Sequence, residues 1–250
     1  MFSTLPDNAK DTLDWEWSQF EPYYEQLFDC PLNSENLSQC LKDWTKLGEM
    51  VRETSNRIYI ATTVNTMDRE AERMYESFLD NIFPESETAE QKLKTRLLQS
   101  KLKLPGFELQ LRNMQAEADL FREENLPLLT QELKLSTEYD KIAAAQTVTW
   151  EGKEVTLPQL EPVYQDPDRK IRERAWKLSA NRSLEDRQAI NELWGRFLDT
   201  RLQIHQNSGL PDYRAYCWKQ LQRFDYTPKD CDTFHNAIEQ VVVPAAERIY

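Results

Sequence analysis

A chain of 250 residues with a formal net charge of −12 lacks the clustered Lys and Arg that grip nucleic acid or an anionic lipid surface, so both classes of partner are excluded. Its 7 Trp, 10 Tyr and 10 Phe suit a packed globular core rather than a disordered tail, and only 5 glycines point to long regular elements with few tight turns. No apolar run approaches the roughly 20 residues of a membrane span, and the start Met1-Phe2-Ser3-Thr4-Leu5 lacks the basic and apolar parts of a secretory leader, so a cytoplasmic protein is expected.

Over residues 14–28, Trp17, Phe20, Tyr24, Leu27 and Phe28 recur near helical spacing and belong in a core. Asn33 or Ser34 is placed to cap a long helix bearing Leu37, Leu41, Trp44, Leu47, Val51 and Ile58. Asp68 opens another, with Ala71, Met74, Tyr75, Phe78, Leu79 and Ile82 on one face, and Pro84 is expected to end it. Ser86 begins a further helix through Leu93, Leu97 and Leu98, which stops before Pro105-Gly106. Up to about residue 105 the pattern is a bundle of long antiparallel helices with charge-laced, solvated faces.

A helix from about Glu108 to Glu123 follows, then one that Asn125 caps and Pro127 enters in the first turn. The helical pattern then stops for two short β-type runs near 146–156. Val148, Trp150, Val155 and the threonines favour a pleated strand, and Glu151-Gly152 supplies the reversal. Beyond this hairpin, Asp166-Pro167-Asp168 offers a cap for a helix with Ile171, Ala175, Trp176 and Leu178. Ser183-Leu184-Glu185-Asp186 resembles a capping box for the next helix, which carries Ile190, Leu193, Trp194, Phe197, Leu198, Leu202 and His205 and stops at Asn207-Ser208-Gly209. A unit from Asp212 turns at Phe224–Pro228 into a last helix running to Tyr250. The fold class expected is mainly α, long antiparallel helices with one small β-hairpin.

Catalytic signatures are missing. The two histidines, His205 and His235, are thirty residues apart, and neither sits in the HExxH arrangement that binds zinc beside a general base. Glu239 stands one turn after His235, but a single His and Glu do not make a zinc site. Cys231 and His235 share a helix face with nothing to complete a triad. No GxSxG, P-loop or GxGxxG is present. Cys30, Cys40, Cys217 and Cys231 show no CxxC spacing and lie in apolar, helical surroundings, so buried free thiols are expected. No catalytic, cofactor-binding or metal residue is assigned to this chain.

The run Tyr139–Trp176, with the hairpin at its centre, resembles the N-terminal region of the oligoendopeptidase F-type zinc metallopeptidases, relatives of thimet oligopeptidase. So do Gly209 with Asp212-Tyr213-Arg214-Ala215-Tyr216, Arg223–Pro228, Phe234-His235 and Val241-Val242-Val243-Pro244. The resemblance covers roughly residues 105–250; residues 1–105 share only its helical style. It implies a helical peptidase whose two lobes face a deep channel admitting short, unfolded peptides. It also implies a zinc in the whole protein, on an HExxH helix downstream of the Val-Val-Pro segment.

The division expected is an N-terminal helical bundle over 1–105, an oligoendopeptidase-type lobe with the hairpin over 106–208, and the start of a truncated catalytic domain over 209–250. Ile238, Val241, Val242, Ala245, Ala246 and Ile249 form an apolar stretch that runs uncapped to Tyr250, the pattern of a helix cut short. The chain is therefore expected to be the channel-forming part of a zinc metalloendopeptidase of short peptides. By itself it would be inactive, hold no cofactor and be open to self-association through that apolar face. The alternative is a non-catalytic helical interaction protein.

Overall fold

Helices α1 (Trp17–Asp29), α2 (Leu37–Val64), α3 (Arg69–Asn81) and α4 (Phe83–Ser100) lay their apolar faces on one shared core. The computed structural model describes residues 2, 4–102 and 105–250. At the centre sit Phe20, Tyr24 and Leu27 of α1, Leu47, Val51 and Ile58 of α2, Tyr75, Phe78 and Leu79 of α3, and Leu93 of α4. Phe20 and Leu47 are fully buried, each side chain worth about 1.5–3 kcal/mol in transfer from water. A short 3-10 turn, Ala9–Thr12, closes one end: the Thr12 and Thr54 hydroxyls meet at 2.5 Å with no exposure at either residue.

The caps explain where these helices begin. Asp68 accepts from the backbone N–H groups of Glu70 (3.0 Å) and Ala71 (3.1 Å), as its position ahead of α3 suggests. Asn33 accepts from the N–H groups of Glu35 and Asn36 just ahead of α2. Pro84 does not end a helix: α3 has already stopped at Asn81, and Pro84 lies in the first turn of α4, where its missing N–H leaves no bond unmade.

Helices α5 (Glu108–Leu120), α6 (Leu126–Ala144), α7 (Arg169–Glu185), α8 (Arg187–Asn207) and α9 (Tyr213–Gln220) build the second half. Helix α6 packs along α8 and reaches back to α3 and α4, while α5 bridges α4 and α9. Leu120, Ile204 and Tyr216 form a smaller core there. Asn125 precedes α6, but its side chain does not cap it. It is buried, donating to the Ile204 carbonyl and the Ser208 hydroxyl (both 3.1 Å) and accepting from Asn207 (2.8 Å), so it locks the end of α8.

Strands β1 (Thr147–Trp150) and β2 (Lys153–Thr156) pair antiparallel, Val148 opposite Val155 and Trp150 opposite Lys153. Glu151 (φ 51°) and Gly152 (φ 79°) are both left-handed, the demand of a two-residue turn whose twist matches the strands. Arg174 of α7 stacks over Trp150 at 4.2 Å from the ring centre and holds the hairpin on that helix. Asp168 caps α7, as expected, by accepting from the Lys170 N–H at 2.8 Å.

Two further expectations need correction, and one is refined. The break between α7 and α8 falls at Asp186, not Ser183: the Ser183 hydroxyl turns to Gln146 (3.2 Å), while Asp186 accepts from Gln146 (3.0 Å) and Arg182 (2.6 Å), tying the base of the hairpin to the helix junction. The last helix runs without a gap from Pro228 to Ile249, as expected, but not as regular α-helix: α10 (Pro228–Ala237) passes through a π turn, Ile238–Val242, into α11 (Val243–Ile249). Cys30 and Cys40 are not free thiols. The 30–36 loop doubles back between α1 and α2, Arg96 of α4 donates to the carbonyls of Leu27 and Cys30, and the two Cα atoms come within 6.6 Å, joined by a buried disulfide. Cys217 and Cys231 are free and half-buried.

Candidate functional site

Helix α4 aims a line of charged side chains at the space between α2 and α5. Glu87, Glu90 and Lys94 follow one another at three- and four-residue spacing and so share a face. Both oxygens of Glu90 are engaged: the Trp44 indole N–H donates at 2.7 Å and the Tyr24 hydroxyl at 3.3 Å. Lys94 pairs with Glu117 of α5 at 2.8 Å, and the other Glu117 oxygen takes the side-chain amide of Gln222 at 2.8 Å.

These residues wall a cavity of about 640 Å³ between α2, α4 and α5, of a size that holds small ligands. A second, of about 310 Å³, meets it at Glu87, Lys94 and Glu117 and runs on to Tyr216 and Gln220. Burial pushes the Glu87 and Glu90 carboxyls above the ordinary carboxylate range, Lys94 pulling both back in part. Burial also raises the Tyr24 hydroxyl, aided by Glu90, and moves Tyr216 up to about 12, aided by Glu132.

A separate polar knot ties α6, α8 and α9. Arg201 donates to Glu132 at 2.7 Å and lies over the rings of Phe197 (4.8 Å) and Tyr213 (5.4 Å), while the Tyr213 hydroxyl donates to the same Glu132 oxygen at 3.3 Å. Its groups satisfy one another, which is the mark of a brace.

The residues considered for chemistry on sequence grounds do not come together. His205 is buried and donates from Nδ1 to the Leu210 carbonyl at 3.1 Å, pinning the turn after α8. His235 is exposed on α10 beside Phe234, with half-buried Cys231 one turn before it and exposed Glu239 one turn after. Among the described residues no three His, Cys, Asp or Glu side chains are placed to hold a metal ion, so they do not fit a zinc site. The cavity escaped the sequence because Glu90 and Trp44 are 46 residues apart; only the unbroken face Glu87-Glu90-Lys94 hinted at it.

The comparisons with known proteins bear on the whole arrangement. Residues 15–105 match the family model described as the peptidase M3 N-terminal domain. A solved structure of an oligoendopeptidase F at 3.1 Å superposes with a TM-score of 0.84 at 19% identity, over 94% of this chain and 42% of that one. The fold is that of the N-terminal portion of an M3-type oligoendopeptidase. An oligoendopeptidase F from Bacillus anthracis gives a TM-score of 0.83 at 17% identity, covering 94% of this chain and 45% of its own. PZ peptidase A, solved with an inhibitor, gives 0.82 at 22% identity, covering all of this chain and 44% of its own. The chain thus spans less than half the length of the solved relatives it matches. No curated protein matches it. The family match falls on α1–α4, the stretch expected to share only helical style with the family: that expectation is corrected, since residues 15–105 carry the matched pattern, and the match ends where the expected resemblance was to begin. No helix among the described residues is long and apolar enough to cross a membrane.

Proposed function

We propose that this chain is the channel-forming N-terminal part of a zinc-dependent metalloendopeptidase that cleaves short peptides. The observation that carries the proposal is the superposition of nearly the whole chain on the oligoendopeptidase fold, with the M3 N-terminal domain over α1–α4. In this proposal residues 1–105 are a helical bundle, 106–208 the lobe with the hairpin, and 209–250 the entry to the catalytic half. Zinc and the HExxH helix belong to the part of the oligoendopeptidase fold that this chain does not span. Its own role is to wall the channel and admit only short, unfolded peptides, in the cytoplasm. The exposed α10–α11 surface, with Phe234, Val241 and Ile249 open to solvent, supports a contact with that other half, or self-association where it is absent.

Two measurements test the proposal. The 250-residue chain, assayed with a fluorogenic peptide and by metal analysis, is expected to show neither hydrolysis nor stoichiometric zinc; zinc-dependent turnover would overturn the division of labour. The reading frame beyond the codon for Tyr250 is expected to encode HExxH and a later Glu on a helix. A stop codon there would favour the second reading, a non-catalytic helical interaction protein working through the same apolar surface.

A further inference from the structure

Helix α7 stands out on an acidic molecule. In a chain of net charge −12 it carries six cations and two carboxylates over Arg169–Glu185. Two of the cations brace the fold: Arg172 donates to the Asp166 and Pro167 carbonyls, and Arg182 to Asp186 and the Ala145 carbonyl. Lys177 is neutralised by Glu173 at 2.7 Å. Arg169, Lys170 and Arg174 are exposed. Lys170 forms no ion pair within 4.0 Å among the described residues, Arg169 acts on Glu173 only from beyond that distance, and Arg174 meets Glu151 at 3.7 Å.

The hairpin adds to this face. Lys153 of β2 is exposed, also without an ion pair among the described residues, and stands opposite Trp150, over whose ring Arg174 lies. Side chains of such a cross-strand pair are about 5 Å apart, so Lys153 and Arg174 border one ring. Lys170 precedes Arg174 by one turn, a rise of about 6 Å. These three cations form one flank of α7. The other flank bears Trp176, 62% exposed, two turns after Arg169. A face that meets only water has no use for an open indole; an indole beside unmatched cations is the makeup of a recognition surface.

The spacing describes the partner. An extended chain sets alternate side chains on one side about 7 Å apart, near the rise from Lys170 to Arg174. The breadth of a helix with its side chains, about 10–12 Å, is crossed by three or four extended residues. Charge selects a short acidic peptide over larger polyanions. The unmatched cations span about one turn of α7 and the hairpin tip, so a polynucleotide would run on over an otherwise acidic surface, and two copies of the chain, each at −12, repel.

We propose that α7 and the hairpin tip bind an extended acidic peptide segment, with one carboxylate on Lys170, the next but one residue's on Arg174 and Lys153, and an apolar side chain three or four residues further on against Trp176. The surface lies wholly within this chain, and the proposal is independent of peptide hydrolysis.

Fluorescence anisotropy with a dye-labelled peptide, two glutamates two residues apart and a leucine four residues beyond, is expected to show saturable binding at low salt. The analogue with glutamine for both glutamates should bind about tenfold more weakly, and 1 M NaCl, with a screening length of about 3 Å, should abolish binding. Lys170→Glu and Lys153→Glu should each weaken it about fivefold or more, since each exchanges an attraction for a repulsion. Neither side chain holds the fold, which circular dichroism checks. Trp176→Ala should weaken the leucine peptide but not its serine analogue. Lys229→Glu, the same charge change at an exposed site on α10, should leave the affinity within about twofold. Four outcomes would overturn the proposal. The glutamine analogue could bind as well as the acidic peptide. Lys229→Glu could cost as much as Lys170→Glu, which would reduce the attraction to net charge. A short oligothymidine could bind more tightly than the peptide, which would make the face a nucleic-acid site. The chain could self-associate in a way that Lys170→Glu abolishes and the peptide does not displace, which would make a second copy the occupant.

Discussion

The two ends of the molecule are equally rich in apolar residues and treat them in opposite ways. In α1–α4, Phe20, Leu47 and Leu79 are at most 1% exposed, packed by three neighbouring helices. From Pro228 to Ile249 no residue is buried, and Phe234, Val241 and Ile249 are 64%, 68% and 77% exposed. Composition does not separate these regions; the presence of a partner surface does. A helix with an apolar stripe is stable only against something that covers the stripe. The N-terminal cluster is a finished core, and the C-terminal helices leave their apolar side chains uncovered.

Phe20→Ala should break the finished side of this contrast most severely. Emptying a fully buried aromatic site is expected to lower the unfolding free energy by about 3–5 kcal/mol, read from the urea midpoint. Reduction comes next. Opening Cys30–Cys40 frees a short loop at the edge of the same core and should cost about 2–3 kcal/mol, with the melting temperature falling on addition of dithiothreitol in the wild type but not in Cys30→Ser/Cys40→Ser. The same bond tests the proposed cytoplasmic setting: alkylation at the moment of lysis would modify four cysteines there and two in an oxidising compartment.

A smaller effect sharpens the role of the cavity. Burial holds the folded Glu87 carboxyl above its ordinary range, so the native state keeps the proton more readily than the unfolded chain does. Its contribution to stability is whole below about pH 4 and is lost as pH rises through the raised native value. Glu87→Gln should therefore melt higher than the wild type at pH 7, and the two should converge below about pH 4. The smallest change is expected at the open end: Phe234→Ser should shift stability by no more than about 0.5 kcal/mol, since no core contact is lost. The same variant should reduce self-association in light scattering, and an unchanged mass distribution would detach that surface from any interface.

Much of the local structure was legible because it rests on side chains acting on their own neighbours. Asp68 and Asp168 cap the helices they precede, and Glu151-Gly152 makes the turn between the strands. What was illegible depends on partners distant in the chain. Asn125 looks like a cap in isolation and is diverted to Ile204 and Ser208, about eighty residues away. Ser183 is diverted to Gln146 across the hairpin base. The cysteines at 30 and 40 carry no spacing signature, because their pairing is set by how the loop folds back under Arg96. The cavity has the same origin: its carboxylates, indole and amide come from three helices, and no window of sequence contains them together.

The π turn at Ile238–Val242 amounts to one residue inserted into an otherwise α-helical run, set just ahead of Pro244, whose ring and missing N–H a regular helix interior would not tolerate. Such an insertion acts as a phase adjuster. It turns everything after it by about 100° relative to everything before, so Phe234 and Ile249 are aimed by the length of that turn as much as by their place in the sequence. Deleting Glu239 or Gln240 would keep every apolar side chain and point half of them elsewhere.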